Sequence, residues 1–514
     1  MSVNDWLGRR RLVTPQREAV VDDSDGRRYC YAELDTRATR LAQQLREHYD
    51  VGPGDRVACL AGNRIEYIDL YFACGKLGAI LVPLNHRLPA AGIDELLDDC
   101  RPKLLVHETC FAEVAAALRQ GCAELPRWVI DGGGASGHAP ALGDVVTAKS
   151  TDGGEFRAFA ADASDVAMIL YTSGTTGRAK GAMITYRQIH FNALNTIIGL
   201  RLTEDDAVLM NMPLYHTGGW HVLFTPLMLL GGRVVLQARF DSARCNHLLG
   251  PEGITILFGI PTMLRMMAEA DNFAAADFSR VRFAIFGGES CPLPLIETYA
   301  ARGVAMRQGY GLTEAGPNCF SLPAADAVRK QGSIGFPNFL VDARLSDEAG
   351  REPGPGEVGE LQMRGPHLFA GYWNNPPASR EALRDGWLAT GDLMTRDEEG
   401  YYYVVGRKQD MYVSGGENVY PSEVERRLQQ HPAVALAAVV GVPDAKWGET
   451  GRAFVQLAAG AAVDDAQLHE WCRQHLAPFQ CPARIVFVDE FPLGTSGKVD
   501  KRSLVQRAVS QGTP

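Results

Sequence analysis

The chain lacks a CxxC pair, an internal repeat, a heptad pattern and any surplus of basic charge. Each absence removes a class of protein. With 51 Lys and Arg against 61 Asp and Glu, a formal charge of −10 and a pI near 5.7, no basic face is offered to nucleic acid. The one basic knot, Arg9-Arg10-Arg11, reads as a solvated helix face. Eleven cysteines, odd in number and scattered, suit a reducing cytoplasm better than a disulfide framework. Cys74, Cys110 and Cys291 read as small buried hydrophobes, with no local support for a nucleophile. The longest apolar stretch, Val222–Leu230, contains Pro226 and is too short to span a bilayer. Met1–Trp6 has no apolar h-region, so no signal peptide is expected. A cytoplasmic protein without a transmembrane segment follows, and peripheral contact with a membrane surface stays open.

What is present is the composition of a folded protein, 46% apolar and 22% charged, over 514 residues. That length exceeds what one core supports, so at least two domains are expected. Residues 30–50 show a helical stripe (Leu34, Ala38, Leu41, Leu45). A strand at Arg56–Leu60, a helix near Tyr67–Gly78 and a strand at Ile80–Pro83 follow. Residues 131–155, rich in Gly, Asp, Ser and Thr, read as a surface excursion ahead of a strand at Val166–Leu170. Further strands are expected at 207–211, 233–237, 254–258 and 281–286, and this alternation argues for parallel α/β layers. From about 355 to 405 the pattern changes to short strands and turns. Past Arg407 comes a compact α+β unit: a helix opening at Ser422 with Glu425 completing a capping box, strands at 434–440, 453–457 and 484–488, and a helix at 464–476.

Residues 171–181 are the most informative stretch. Thr172, Ser173, Thr175 and Thr176 supply hydroxyls, Gly174, Gly177 and Gly181 supply backbone freedom, and Lys180 supplies a compact cation with no acid nearby. Such a loop at the end of a strand suits a polyphosphate. Its glycine spacing is not that of a Walker A loop. It resembles the phosphate-binding signature of adenylate-forming enzymes, the superfamily of acyl-CoA synthetases, luciferases and peptide-synthetase adenylation domains. Ala179 stands where that family usually has proline.

The resemblance extends from about residue 25 to 505 and implies a role for each further motif. Gln308-Gly-Tyr-Gly-Leu-Thr-Glu314 resembles the adenine-and-metal segment: Gly309, Tyr310 and Gly311 beside adenine, Thr313 at the α-phosphate, and Glu314 holding Mg²⁺. One carboxylate plus phosphate oxygens is what Mg²⁺ prefers. The turn Gly287-Gly288-Glu289-Ser290 adds Gly288, Glu289 and Ser290 to the nucleotide site, with Gly288 also bordering the acyl pocket. Asp392, in Trp387-Leu-Ala-Thr-Gly-Asp392, and Arg407 resemble the ribose contacts. Gly415 and Gly416 resemble the lining of the passage for the pantetheine arm. Gln409 occupies a hinge position that usually holds Asp or Lys. Lys498, in Pro492-Leu-Gly-Thr-Ser-Gly-Lys498, resembles the catalytic lysine, and Thr313 and Glu314 complete the catalytic set. The implied fold is α/β: a large N-terminal domain of layered α/β subdomains over residues 1–407, a hinge at 408–410, and a small mobile α+β lid over 411–514. The implied cofactors are ATP, Mg²⁺ and coenzyme A, and the expected assembly is a homodimer.

Met212-Pro-Leu-Tyr-His-Thr-Gly-Gly-Trp220 resembles the segment that walls the acyl pocket, with His216 and Trp220 as its polar and aromatic points. No carboxylate lies between Asn211 and Pro226, so the ammonium of an amino acid would go unpaired there. Trp220 resembles the gate tryptophan of long-chain fatty acyl-CoA synthetases, which makes a fatty acid the expected substrate. The alternative is a hydroxycinnamate-type aryl acid, since feruloyl-CoA synthetases share the segment. Too few residues follow Lys498 for a fused carrier domain, so free coenzyme A is the expected acceptor. A separate carrier protein is the alternative.

Overall fold

The computed structural model describes residues 3–118, 125–131, 142–147, 156–172, 179–288, 291–458, 460–492 and 499–510. Its contacts divide the chain into two compact units: Met1–Ala343 with Met363–Leu388, and Arg344–Gln362 with Ala389–Pro514. Residues 344–362 and 389–407 thus group with the C-terminal residues, a different division from one at 408–410. A local reason is visible at Thr390, whose hydroxyl donates to the Leu361 carbonyl at 2.8 Å.

In the N-terminal unit, the strands Arg127–Val129, Leu104–His107, Arg56–Leu60, Ile80–Pro83 and Val166–Thr172 lie side by side in that order, all parallel. Lys180–Thr185 closes the row antiparallel to Val166–Thr172. The parallel strands read as continuous apolar runs because helices cover both faces. The helix Tyr31–Tyr49 turns Leu34, Ala38, Leu41 and Leu45 inward. Its first turn is capped by Glu33, whose carboxylate accepts from the Cys30 N–H at 2.8 Å. The basic knot lies in the helix Trp6–Val13 and is only partly solvated. Arg10 donates to the Leu229 carbonyl, and Arg11 pairs with Asp35 at 3.2 Å. Of the expected surface excursion, Leu142–Thr147 is helical and most of the rest lies outside the described residues.

A second row in this unit runs Ser333–Pro337, Gly316–Ser321, Ala305–Leu312, Phe283–Phe286, Ile256–Gly259, Ala207–Met210, Arg233–Leu236, Glu18–Asp22 and Arg28–Cys30. Pairing is parallel from Ala305–Leu312 through to Glu18–Asp22 and antiparallel at each end. Leu209, Val235, Leu257, Ala284 and Phe286 share one core on this sheet. Among the cysteines singled out, Cys74 and Cys291 are buried as expected, whereas Cys110 is exposed. Among the described residues no helix is long and apolar enough to cross a membrane.

In the C-terminal unit, Glu417–Val419, Tyr412–Ser414, Gly448–Leu457 and Val434–Asp444 form an antiparallel row, with Arg484–Phe487 parallel to Gly448–Leu457. Alternation sorts the strand residues by face. Val439 and Val455 pack with Val424, Leu428, Leu468 and Cys472, while Val440 and Phe454 pack with Leu504 and Ala508. The expected capping box at Ser422 and Glu425 is not formed. The helix runs Pro421–Gln429 from Tyr420 without a side-chain cap. Proline at the first position already fixes φ and has no N–H to satisfy. Ser422 instead donates to the Val405 carbonyl, and Glu425 accepts from the Val439 N–H at 2.8 Å and pairs with Lys501 at 2.7 Å.

Candidate active site

The strands Val166–Thr172 and Lys180–Thr185 form a hairpin with Thr172 opposite Lys180, so the phosphate loop connects two antiparallel strands. It does not lead from a strand into a helix, the arrangement of a Walker A loop. Ser173, Gly174, Thr175, Thr176 and Gly177 lie outside the described residues. One end of the loop meets Glu314. Thr172 Oγ1 lies 3.5 Å from Glu314 Oε1, across 142 residues of sequence, and 3.4 Å from the Lys180 carbonyl. Tyr372 completes the corner: its hydroxyl donates to Glu314 Oε1 at 2.9 Å, and the Lys180 ammonium lies 5.2 Å from the centre of its ring.

Glu314 reaches this position because its chain turns sharply. Gly309, Tyr310 and Gly311 lie on Ala305–Leu312, which folds back through Thr313–Ala315 into Gly316–Ser321. A Cβ on Gly311 would come within 2.2 Å of the Pro317 main chain, so only glycine fits. Tyr310 is held edge-on to Phe320, with centroids 5.7 Å apart. Thr313 is buried, and its carbonyl accepts from Gln188 Nε2 at 2.9 Å. Gly288, at positive φ, follows Phe283–Phe286, whose Phe286 pairs with Gln308. Gly287, just before it, lies so close to Gly309 that a Cβ there would come within 3.0 Å of the Gly309 carbonyl oxygen. Glu289 and Ser290 lie outside the described residues.

Of the residues expected at the acyl pocket, His216 is exposed and caps the short helix Thr217–His221, its Nδ1 accepting from the Gly218 N–H at 3.1 Å. That acceptor role puts the ring proton on Nε2. Trp220 is fully buried, stacked on Tyr71 at 4.8 Å with Tyr67 and Phe224 edge-on, and its indole N–H donates to the Leu214 carbonyl. Next to it His221 is buried, and desolvation pushes its pKa down to about 3. A neutral ring is the only form this pocket supports at neutral pH.

In the C-terminal unit, Asp392 lies opposite Arg407 across two antiparallel strands, and Arg407 Nε pairs with Asp392 Oδ1 at 2.6 Å. Asp392 is buried while half of Arg407 is exposed, so one end of the pair faces solvent. Gln409 is exposed in the turn after Tyr402–Arg407. Gly415 and Gly416 form a two-residue turn between Tyr412–Ser414 and Glu417–Val419, with φ of +62° and +89°. Lys498 lies outside the described residues.

Residues 9–373 match the family model of AMP-binding enzymes, and residues 423–498 match the C-terminal domain of AMP-binding enzymes. The chain belongs to the AMP-binding enzyme family. It is 39% identical over 506 residues to a feruloyl-CoA synthase of an Amycolatopsis species, covering 98% of this chain and 99% of the relative. It is 34% identical over 503 residues to the long-chain-fatty-acid–CoA ligase FadD13 of Mycobacterium tuberculosis, covering 97% of each. Among solved structures, ATP-bound MatB from Rhodopseudomonas palustris matches with a TM-score of 0.89 at 32% identity, covering 99% of both chains. The o-succinylbenzoate–CoA synthetase of Bacillus subtilis, in complex with ATP and magnesium ion, matches at 0.86 and 30% identity, covering 98% and 99%.

In this AMP-binding enzyme the residues around Glu314 suit a hard cation. Its carboxylate stands beside the hydroxyls of Thr172 and Tyr372, and no group of three or more His, Cys, Asp or Glu that could hold a metal occurs among the described residues. That donor set fits Mg²⁺, which takes few protein ligands and completes its shell with phosphates and water. Two residues of the corner escaped the sequence reading. Gln188 is one of several buried polar residues on the helix Tyr186–Leu200, with Asn192, Asn195 and Thr196, so nothing local sets it apart. Tyr372 sits in a Gly-Tyr-Trp segment whose only clue was a glycine beside an aromatic ring.

Proposed function

We propose that the chain is an AMP-forming acid–thiol ligase, an ATP-dependent acyl-CoA synthetase. The observation that carries the proposal is the meeting of Thr172, Lys180 and Glu314 at one corner, since a phosphate loop and a cation-binding carboxylate have a common use only on a polyphosphate. In the first step a substrate carboxylate oxygen attacks the α-phosphorus of ATP. The bond to the bridging oxygen breaks, and pyrophosphate leaves with its electron pair. In the second step the coenzyme A thiolate attacks the acyl carbonyl and AMP departs, giving the thioester. Lys180 and the hydroxyl loop hold phosphates, Tyr310 lies against adenine, Thr313 approaches the α-phosphate, and Asp392 with Arg407 holds ribose. Glu314 would hold Mg²⁺, which supplies charge neutralisation on the phosphates. Lys498 adds a cation where charge builds on the α-phosphate. Gly415 and Gly416 line the pantetheine passage, and the turn at 408–410 is the hinge.

Two acid classes have support. A fatty acid is supported by the Gly-Gly-Trp220 segment and by FadD13 among the relatives. An aryl acid of hydroxycinnamate type is supported by the feruloyl-CoA synthase relative and by the packing of Trp220. Swinging that ring as a gate would break an aromatic cluster and strand a buried N–H. The aryl acid has the better case. ATP–pyrophosphate exchange with ferulate, octanoate, palmitate and acetate, followed by product analysis, tests both levels. AMP and pyrophosphate with ferulate preferred is the expected result, and ADP with phosphate would overturn the reaction class.

A further inference from the structure

Tyr372 lies in a segment that runs beside the second strand of the phosphate hairpin. The Trp373 N–H donates to the Gly181 carbonyl at 2.7 Å, Met183 to Gly371 at 2.9 Å and Ala370 to Met183 at 3.0 Å, with Tyr372 paired to Ala182. On its other side the Tyr372 N–H donates to Ser379 Oγ at 2.8 Å. Gly371 permits this approach: it sits at φ +122°, and a Cβ there would come within 2.8 Å of the same hydroxyl. The main chain of Tyr372 is therefore fixed from both sides before its side chain makes any contact.

The same segment grips Glu314 twice. The Phe369 N–H donates to the Glu314 carbonyl at 2.8 Å, and the Tyr372 hydroxyl donates to Oε1 at 2.9 Å. Thr172 also reaches Oε1, at 3.5 Å, and among the described residues neither donor is directed at Oε2. Above the ring, the Lys180 ammonium sits within cation–π range at 5.2 Å.

We infer that Tyr372 is a positioning residue with two separable actions: its hydroxyl ties Oε1 of Glu314 so that Oε2 is presented to the cation, and its ring steadies the Lys180 ammonium for the nucleotide phosphates. The inference rests on Glu314 being the metal carboxylate. One aromatic residue thereby joins the cation site to the phosphate site, and hydroxyl and ring can be removed one at a time.

The test uses the full chain with ATP and no acid, so that no turnover occurs, and Mn²⁺ as a probe read by electron paramagnetic resonance. Tyr372→Phe should weaken Mn²⁺ binding to the ATP complex about tenfold, the scale of one charge-assisted hydrogen bond. Its ATP affinity should stay within about twofold of wild type, since the ring is kept. Tyr372→Leu should weaken ATP as well as Mn²⁺. In a Glu314→Gln background Tyr372→Phe should have no further effect on Mn²⁺. If Glu314→Gln weakens Mn²⁺ and Tyr372→Phe does not, the inference is overturned and the metal reading stands. If Glu314→Gln itself binds Mn²⁺ as wild type does, the metal reading falls. A Tyr372→Phe variant that loses ATP and Mn²⁺ affinity in equal measure, with a lowered unfolding midpoint, would make the residue merely structural and also overturn the inference.

Discussion

In the N-terminal unit Glu314 is held at its carboxylate by Tyr372 and Thr172 and at its carbonyl by Phe369, and the neighbouring Thr313 carbonyl is held by Gln188. In the C-terminal unit Gly415 and Gly416 owe their place to backbone conformation, two positive φ angles between paired strands. The first arrangement holds a carboxylate by directed hydrogen bonds from distant parts of the chain, as positioning charges on a nucleotide requires. The second leaves bare main chain at Gly416, with nothing within 4 Å of where a Cβ would stand, beside the Trp447 ring that packs on Gly415. Substitutions at the packed N-terminal positions Trp220 and Gly311 should therefore show as lost stability, and replacement of Lys498 as lost rate.

Trp220→Ala offers the largest break in that pattern. Emptying a site that is fully buried against Tyr67, Tyr71 and Phe224 should cost about 3–5 kcal/mol, read as a lowered denaturation midpoint. Activity lost equally with ferulate, octanoate and palmitate would mark a packing residue, whereas a selective change of chain-length profile would restore the gate. Lys498→Ala should do the reverse. Loss of one preorganised donor lowers adenylation about 10²–10³-fold, with the midpoint unchanged. Conversion of supplied acyl-adenylate and coenzyme A to thioester should stay near the wild-type rate. Equal damage to both half-reactions would remove the lysine from the first step.

Paired glycine substitutions sharpen the comparison. Gly311→Ala drives a methyl into the Pro317 main chain and should cost about 3 kcal/mol, because backbone cannot step aside. Gly416→Ala meets nothing within 4 Å and strains only its φ of +89°, so about 1 kcal/mol is expected. Equal midpoints for the two variants would erase the distinction between the regions.

Acidification provides the finest probe. His221 and His367 are buried, and desolvation lowers their pKa values to about 3 and about 4. Unfolded histidine titrates near 6.5, so below that pH the unfolded chain binds protons that the folded chain refuses. Stability should fall as pH drops through 6.5 and level off only below about 4 for His367 and about 3 for His221, losing about 1 kcal/mol per histidine between pH 6.5 and 5.5. Replacing His367 with Gln should flatten the dependence, and an unchanged slope would assign it to other groups.

The sequence was most legible where one local cause decides the outcome. Arg56–Leu60 and Ile80–Pro83 are strands to the residue, because short apolar runs are bounded by Gly, Pro or charge. Thr172, Lys180 and Glu314 could be named from residue type and order, and the structure brings them together. The capping box failed although its pattern was present: Pro421 already opened the helix, and Glu425 found Val439 and Lys501. Tyr372 was illegible for a different reason. Its role comes from pairing with Ala182 and Glu314, both far away in the chain, and no local periodicity encodes that.

The glycine turn has a stereochemical consequence. Positive φ is the mirror image of the conformation that L-residues favour, so position 416 is a site where handedness alone decides the energy. A semisynthetic chain carrying D-alanine there would keep the hairpin and restrict the unfolded ensemble, making it more stable than the natural protein, whereas L-alanine would strain the same position. Two molecules of identical composition would then differ in stability through the handedness of one residue.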